Sequence, residues 1–428
     1  GLFTATVLTL IVLPILFKVF DSKEFKRSKL KKGKKHLTVI LLLLASSFGF
    51  AQNTNMSREA VIAKALENNK GIKAAALQVN KMQENIKSSF TFEKTNVYYS
   101  YDQNNLALNN LPLKVFGVQQ RFLFPTVYGV QKKANTSEFE KEKADYELQK
   151  NKLSLQVAKT YEQIVYWQHQ ERLYSYLDSL YQNFSKASDR RFELGETNYL
   201  EKITAQSKYR QIKTKLTQIN FEKKAQYESL QALVQSDEKI SILEKELVPI
   251  PTLDTTSNKA IHTAYLESIS KMYKSQISLQ KQHWLPDLNL EYFQGRNNGL
   301  SQSLYGFQVG IAVPILFSGN VSKTKVAQLE SQSWEEQKQN QEQKMTQFIR
   351  QQQNEIAKYQ ESINYYNATG KKLSEEIIKV ANSSYKNGEI DFFQYIQSLE
   401  NAVAIKIEYV EAVLQFNSNQ LELHYLNF

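Results

Sequence analysis

The chain repeats itself, and that limits what it can fold into. Phe116-Gly-Val-Gln-Gln-Arg-Phe-Leu-Phe-Pro125 is echoed by Tyr305-Gly-Phe-Gln-Val-Gly-Ile-Ala-Val-Pro314, with Gly117 and Gly306, and Pro125 and Pro314, each 189 residues apart. Farther on, Phe192-Glu-Leu-Gly195-Glu196-Thr-Asn-Tyr-Leu200 matches Tyr385-Lys-Asn-Gly388-Glu389-Ile-Asp-Phe-Phe393 at a spacing of 193. Two distant motifs at nearly one offset mark a duplication, so the fold must be one unit built twice. The copies are expected over 52–247 and 258–428, joined by a Pro-, Thr- and Ser-rich linker over 248–257.

Each copy reads in the same order: a helix (Ser57 to Ser89, then Asn258 to His283), two short strands, a very long helix, a Gly-Glu turn and a long returning helix. The strands carry a two-residue period. Phe116, Val118, Phe122 and Phe124 alternate with Gln119 and Arg121; Leu288, Leu290 and Tyr292 alternate with Asp287, Asn289 and Glu291. Tyr305, Phe307, Val309, Ile311 and Val313 alternate with Gly306, Gln308, Gly310 and Ala312, while the Tyr-rich stretch from Asn96 to Tyr101 is less decisive. Aromatic or aliphatic residues alternating with polar or small ones give the outer-membrane barrel pattern, lipid outside and water inside. A half-buried strand of a soluble sandwich has the same period. If the strands meet lipid, four per chain cannot close a barrel and an open edge cannot persist there, so three chains would supply twelve strands.

The long helices are expected from Thr126 to Arg191 and Gly319 to Lys386, each some 65 residues or roughly 100 Å. Their apolar residues recur at coiled-coil spacing, as in Leu153, Val157, Tyr161, Ile164, Trp167, Tyr174, Leu177, Tyr181 and Phe184. The second returning helix shows Phe393, Ile396, Leu399, Val403, Ile407, Val410, Leu414 and Leu421. The expected class is therefore mainly α with a membrane β-barrel contribution: long coiled-coil helices plus four strands per chain.

The net charge of +11 suggests nucleic acid until its distribution is followed. Nine basic residues between Lys18 and Lys35, against Asp21 and Glu24, supply +7 of it and leave the body near neutral, so no nucleic-acid partner is expected. Residues 1–20 are almost wholly apolar and long enough to span a bilayer, and 21–36 form a basic linker of cytoplasmic type. Residues 31–51 have the basic, apolar and small-residue regions of an export signal, with Gly49 and Ala51 predicting cleavage before Gln52. The chain opens on Gly, so its true start is expected upstream.

Catalytic chemistry finds no residues to stand on. Cysteine is absent, the five histidines are scattered, the four methionines form no cluster, and no phosphate loop or nucleophile elbow appears. No enzyme activity, cofactor or bound metal is expected.

A strand pair, long helix, Gly turn and returning helix, duplicated behind an export signal, resembles the TolC family of outer-membrane efflux proteins over Ser57 to Phe428. The strand ends Phe124-Pro125 and Val313-Pro-Ile-Leu-Phe-Ser-Gly319 and the paired Gly turns carry it. The resemblance implies a homotrimer in outer-membrane lipid, extending into the periplasm and passively conducting substrate. That substrate would be delivered by an inner-membrane pump of the resistance-nodulation-division (RND) class through a periplasmic adaptor. It also implies that the Gly turns are periplasmic tips where the adaptor docks: Phe192, Gly195, Glu196, Asn198 and Tyr199 in the first, Tyr385, Gly388, Glu389, Asp391 and Phe392 in the second. Some members carry an acidic ring just past the second Gly; here those places hold Gln394 and Gln397, with Glu201 of the first copy as a substitute. Residues 5–14, Ala-Thr-x-x-Thr-Leu-x-x-x-Pro, resemble the last membrane helix of heavy-metal pumps of the CusA/CzcA type. That implies a pump–duct fusion fragment and heavy-metal cations as cargo; a generic apolar helix or a mis-called gene start reads the same residues. The alternative for the whole chain is a periplasmic coiled-coil adaptor or scaffold, which would need no lipid-facing strands.

Overall fold

The computed structural model describes residues 55–426, apart from 107–110, 255, 298, 300, 301, 303 and 316. The expected membrane segment 1–20, linker 21–36 and export signal 31–51 lie outside the described residues.

The first copy opens with β1 (Asn55–Met56), α1 (Arg58–Asn68) and α2 (Lys70–Lys87), followed by β2 (Asn96–Leu106) and β3 (Pro112–Phe122). The single helix expected from Ser57 to Ser89 is broken at Asn69. That residue leaves helical geometry at ψ 123° and turns its side chain onto the amides of Gly71 and Ile72, capping α2. Its own amide group donates to the Leu233 carbonyl at 2.9 Å, so the break is pinned by a contact 164 residues away. Next come α3 (Pro125–Glu193), 69 residues or about 100 Å long, and the returning α4 (Tyr199–Val234). Pro125 sits at the first turn of α3, where its missing N–H costs nothing.

The second copy runs through α5 (Thr256–Gln282), β5 (Asp287–Arg296), β6 (Leu304–Ala312), α6 (Ser318–Tyr365), a π turn (Tyr366–Gly370), α7 (Lys371–Lys386) and α8 (Phe392–Tyr425). From Ser318 to Lys386 the helical run is again 69 residues, the length of α3. Phe124 and Val313 fall just beyond the strands, because Phe124 already takes the N-cap position of α3 and β6 ends at Ala312.

The strands form one antiparallel sheet in the order β2-β3-β5-β6, so the two copies join where β3 meets β5. Among the described residues both outer edges, on β2 and β6, are unpaired. The equivalent glycines of the repeat explain themselves here. The Tyr98 ring lies over Gly117 and the Phe293 ring over Gly306, each reaching from the cross-strand partner, so a Cβ at either site would collide with the ring.

The helical cores follow the seven-residue rhythm. Leu153, Val157, Tyr161 and Ile164 of α3 meet Val410, Val413 and Leu414 of α8 in one cluster, and Leu177 and Tyr181 meet Ile396, Leu399 and Val403 in another. At the start of α8 the seam begins one residue earlier than expected. Phe392 is 3% exposed and Phe393 is 45% exposed, because the Asp391 cap sets the helix rotation.

A second layer covers one face of the helices near mid-length. There β1 pairs in parallel with β4 (Ser241–Ile242), a pair with no sequence signal of its own at two residues a strand. The Tyr161 hydroxyl, reaching out of α3, donates to the Met56 carbonyl at 2.9 Å and accepts from the Leu243 amide at 3.2 Å. The linker is held by Asn417 of α8, which donates to the Val248 carbonyl and accepts from the Ile250 amide, both at 2.9 Å. The same Asn417 amide donates to buried Glu162 at 2.8 Å, whose other oxygen pairs with Arg58 at 3.0 Å.

Candidate functional site

Register decides what the sheet presents. Val97, Tyr99 and Tyr101 of β2 stand beside Val118 and Phe116 of β3, then Leu290 and Tyr292 of β5, then Val309 and Phe307 of β6. With Phe122, Leu288, Tyr305 and Ile311 in the same parity, they make a mostly apolar face across all four strands, interrupted by Gln120 and Gln294 and ending at Lys114 and Arg296. It is exposed, most of all on β6, where Phe307 stands 78% open. Exposed, mostly apolar surface spread over four strands marks a face that meets something other than water. The β2 contribution was the part alternation alone left undecided. The opposite face carries Gln119, Asn289, Gln308 and the Arg121–Asp287 ion pair at 2.6 Å, and the Tyr98 hydroxyl donates to Glu291. The sheet is therefore apolar on one side and hydrogen-bonding on the other.

At the far end of the helices both Gly turns adopt one geometry. Gly195 and Gly388 each have φ +74°, where an L side chain is strained. In each turn the glycine amide bonds three residues back and the following Glu five back: Gly195 to Phe192 and Glu196 to Arg191, Gly388 to Tyr385 and Glu389 to Ser384. This double closure ends a helix on a left-handed glycine. The next helix is capped at once, by Asn198 on the Glu201 amide and by Asp391 on the Gln394 amide, both at 2.8 Å. Gln394 returns the favour by accepting from the Asp391 amide at 3.1 Å. Gly195→Ala and Gly388→Ala are each expected to destabilise their tip by about 1 kcal/mol. Hydrogen exchange should then quicken at 193–197 or 386–390, with the rest of the helices unchanged.

The two tips differ in what they expose. In the second, Tyr385 and Phe392 turn inward to pack with Phe184 and Tyr395; Tyr385 and Tyr395 stack at 4.8 Å and Phe184 lies 4.7 Å from Tyr395. Burial pushes the Tyr395 hydroxyl up to about 12. Phe392 is thus core of the tip and offers no surface for docking, leaving Gly388, Glu389, Asp391 and Phe393 outside. The Ser384 hydroxyl and the Asn387 amide bond Glu389 and hold its carboxyl below the usual range. In the first tip Phe192 is half-buried, lying 5.8 Å from Tyr199 with Lys202 over its ring, while Glu196 and Asn198 are exposed. Tyr199 opens to solvent beside Leu194 and Leu200, two apolar residues that the motif did not single out.

Glu201 is not free to stand in for an acidic ring. It is buried, accepts from Thr197 at 2.6 Å and pairs with Arg191 at 3.1 Å. The same Arg191 nitrogen donates to the Tyr385 hydroxyl at 3.1 Å, so one guanidinium joins the two hairpins. No spacing rule brings residues 191, 201 and 385 together; only the packing of the hairpins does. Gln397 remains exposed, donating to Asn401 at 3.0 Å.

Among the described residues no helix is long and apolar enough to cross a membrane, and no group of three or more His, Asp or Glu is placed to hold a metal ion.

No family model and no curated sequence matches the chain. Solved structures do. CusC, described through the conformational changes that accompany its folding and transmembrane channel formation, superposes with TM-score 0.72 at 15% identity, over 87% of this chain and 92% of that one. The outer-membrane channel OprN gives TM-score 0.74 at 11% identity, over 88% and 91%. The Campylobacter jejuni CmeC outer membrane channel gives 0.72 at 15% identity, over 88% and 87%. The chain therefore has the fold of these outer-membrane channels, which is the fold that its resemblance to the TolC family implies.

Proposed function

We propose that the chain is the outer-membrane exit duct of a tripartite efflux system, a passive conduit for substrate delivered from the inner membrane. One observation carries this: the four-stranded sheet exposes a mostly apolar face and leaves both edges unpaired among the described residues. In lipid an unpaired edge is untenable, so further copies must complete the sheet, and three copies give a closed twelve-stranded barrel. The polar face then lines water, and helices about 100 Å long carry the bore into the periplasm. A periplasmic adaptor or scaffold would share the helices but has no use for a lipid-facing sheet.

The tips are the docking surface for an adaptor, through Leu194, Glu196, Asn198, Tyr199 and Leu200 on the first and Gly388, Glu389, Asp391 and Phe393 on the second. Gln394 and Gln397 line the mouth, an amide rather than carboxylate ring, so conductance is expected to be weakly cation-selective. Residues 52–247 and 258–428 act as the two copies of one wall unit, joined by 248–257. The inner-membrane partner is an RND pump. The resemblance of residues 5–14 to heavy-metal pumps supports metal cations as cargo and a pump–duct fusion; sensitivity of a deletion strain to metals, against a panel of drugs, decides between cargoes.

The expected outcome for the protein itself is physical. Extraction should require detergent, electrophoresis should show a heat-modifiable trimer, and planar bilayers should conduct when it is added. A water-soluble monomer sinks the proposal.

A further inference from the structure

The face of α8 turned away from the linker carries features that conduction alone does not use. Glu408 lies nine residues before Asn417, which at about 100° per residue places it half a turn round the helix from the side chain that pins the linker. Glu411 follows one turn later, and between this stripe and α6 runs a groove of about 620 Å³. Its walls are aromatic. Tyr366, the first residue of the π turn, stacks on Tyr409 with ring centroids 3.9 Å apart and planes 15° from parallel, and Tyr359 lines the same groove. Gly370 ends that turn, and a Cβ there would sit 3.2 Å from Ile405 of α8, so its absence lets the two helices close on the stacked pair. A π turn in a long helix is uncommon and is frequently found at functional sites.

The groove is also acidic. Glu361, Glu408 and Glu411 line it, all exposed, and none is ion-paired with a described residue. Beside the groove the Lys358 ammonium, ion-paired with Glu355 at 2.8 Å, lies 4.4 Å from the Tyr359 ring, so one ring of the wall already meets a cation. Carboxylates and aromatic faces together favour a cation that also carries apolar surface. A small metal ion would gain nothing from the stacked rings and would need converging oxygens. The volume is that of an ordinary small-molecule site.

We propose that this groove binds organic cations with aryl or alkyl groups, such as quaternary phosphonium or ammonium ions, as they pass along the wall. Its position inside the bore rests on the conduit function. The linker, β1 and β4 layer covers the other face of the helices, so the bare face is the one that lines the passage.

The test uses the full chain purified in detergent, with tetraphenylphosphonium as probe in equilibrium dialysis. Binding is expected, and the triple substitution Glu361→Gln, Glu408→Gln, Glu411→Gln should weaken it at least about tenfold. All three sites are exposed, so the trimer should persist. Tyr366→Leu should weaken binding by a further, separate contribution, and uncharged triphenylphosphine oxide should bind at least about tenfold less than the cation. Zinc ion should not displace the probe. Unchanged affinity in the triple variant, equal binding of the neutral analogue, or displacement by zinc overturns the proposal. Bilayer conductance separates the two ideas: a conducting protein that fails to bind the probe refutes the groove alone. A protein that binds the probe and never conducts refutes the conduit and leaves the groove standing.

Discussion

Val309→Arg should abolish the heat-modifiable trimer, while Gln308→Arg, one residue away, should leave it assembled. Val309 lies mid-strand on the apolar face and Gln308 on the polar face of β6, one of the two edge strands of the sheet. An arginine facing lipid near the membrane midplane costs about 2–4 kcal/mol per chain, and every chain of the assembly bears that cost. On the opposite face the same side chain meets water and should alter conductance instead. Trimer yield after detergent extraction, followed by single-channel recording of the Gln308 variant, checks both. If the two substitutions behave alike, the division of the sheet into lipid and water faces is wrong.

Arg58→Ala should release the linker layer from the helices, by about 3 kcal/mol or more at neutral pH and by much less in acid. Glu162 is almost enclosed, with its side chain 9% exposed, and Arg58 is the only cation paired with it among the described residues. Burial outweighs the Asn417 and Arg58 contacts and raises the carboxyl above its ordinary value of 4.5. A folded-state value above the unfolded one means that this group favours folding most below the unfolded value. That contribution is lost as pH rises through the folded one. Without Arg58 the shift grows, so the variant should weaken progressively as pH rises above the ordinary carboxylate value, more steeply than the parent. Hydrogen exchange at the Ile250 amide, which donates to Asn417 of the same network, reads the release directly. The double variant with Glu162→Gln should recover most of the loss at high pH. A pH-independent loss would mean that Arg58 acts by packing rather than by charge.

Both experiments probe places where one chain brings distant residues together, and these were legible to different degrees. The alternation of Tyr305, Phe307, Val309 and Ile311 announced an apolar strand face, because a period of two survives in any strand whatever its neighbours. Val97, Tyr99 and Tyr101 joined that face only through pairing with β3, since tyrosines on both parities of β2 conceal the period. The glycines at 195 and 388 were legible because only a residue without a side chain takes φ +74° cheaply. Arg191, Glu201 and Tyr385 were not, because an ion pair and a hydrogen bond across two hairpins leave no trace in spacing.

Sequence by itself determined the duplication, the strand parity, the two glycine tips and the reach of the helices. Each of these is a local repeat or a backbone requirement written in consecutive residues. Tertiary structure alone decided the break at Asn69 and the burial of Glu201. It alone decided, too, the two-residue pairing of β1 with β4, and the meeting of a π turn with Tyr409. In each of these the deciding partner lies across a helix contact or a sheet register. The free energy that selects the conformation comes from groups the local sequence does not contain.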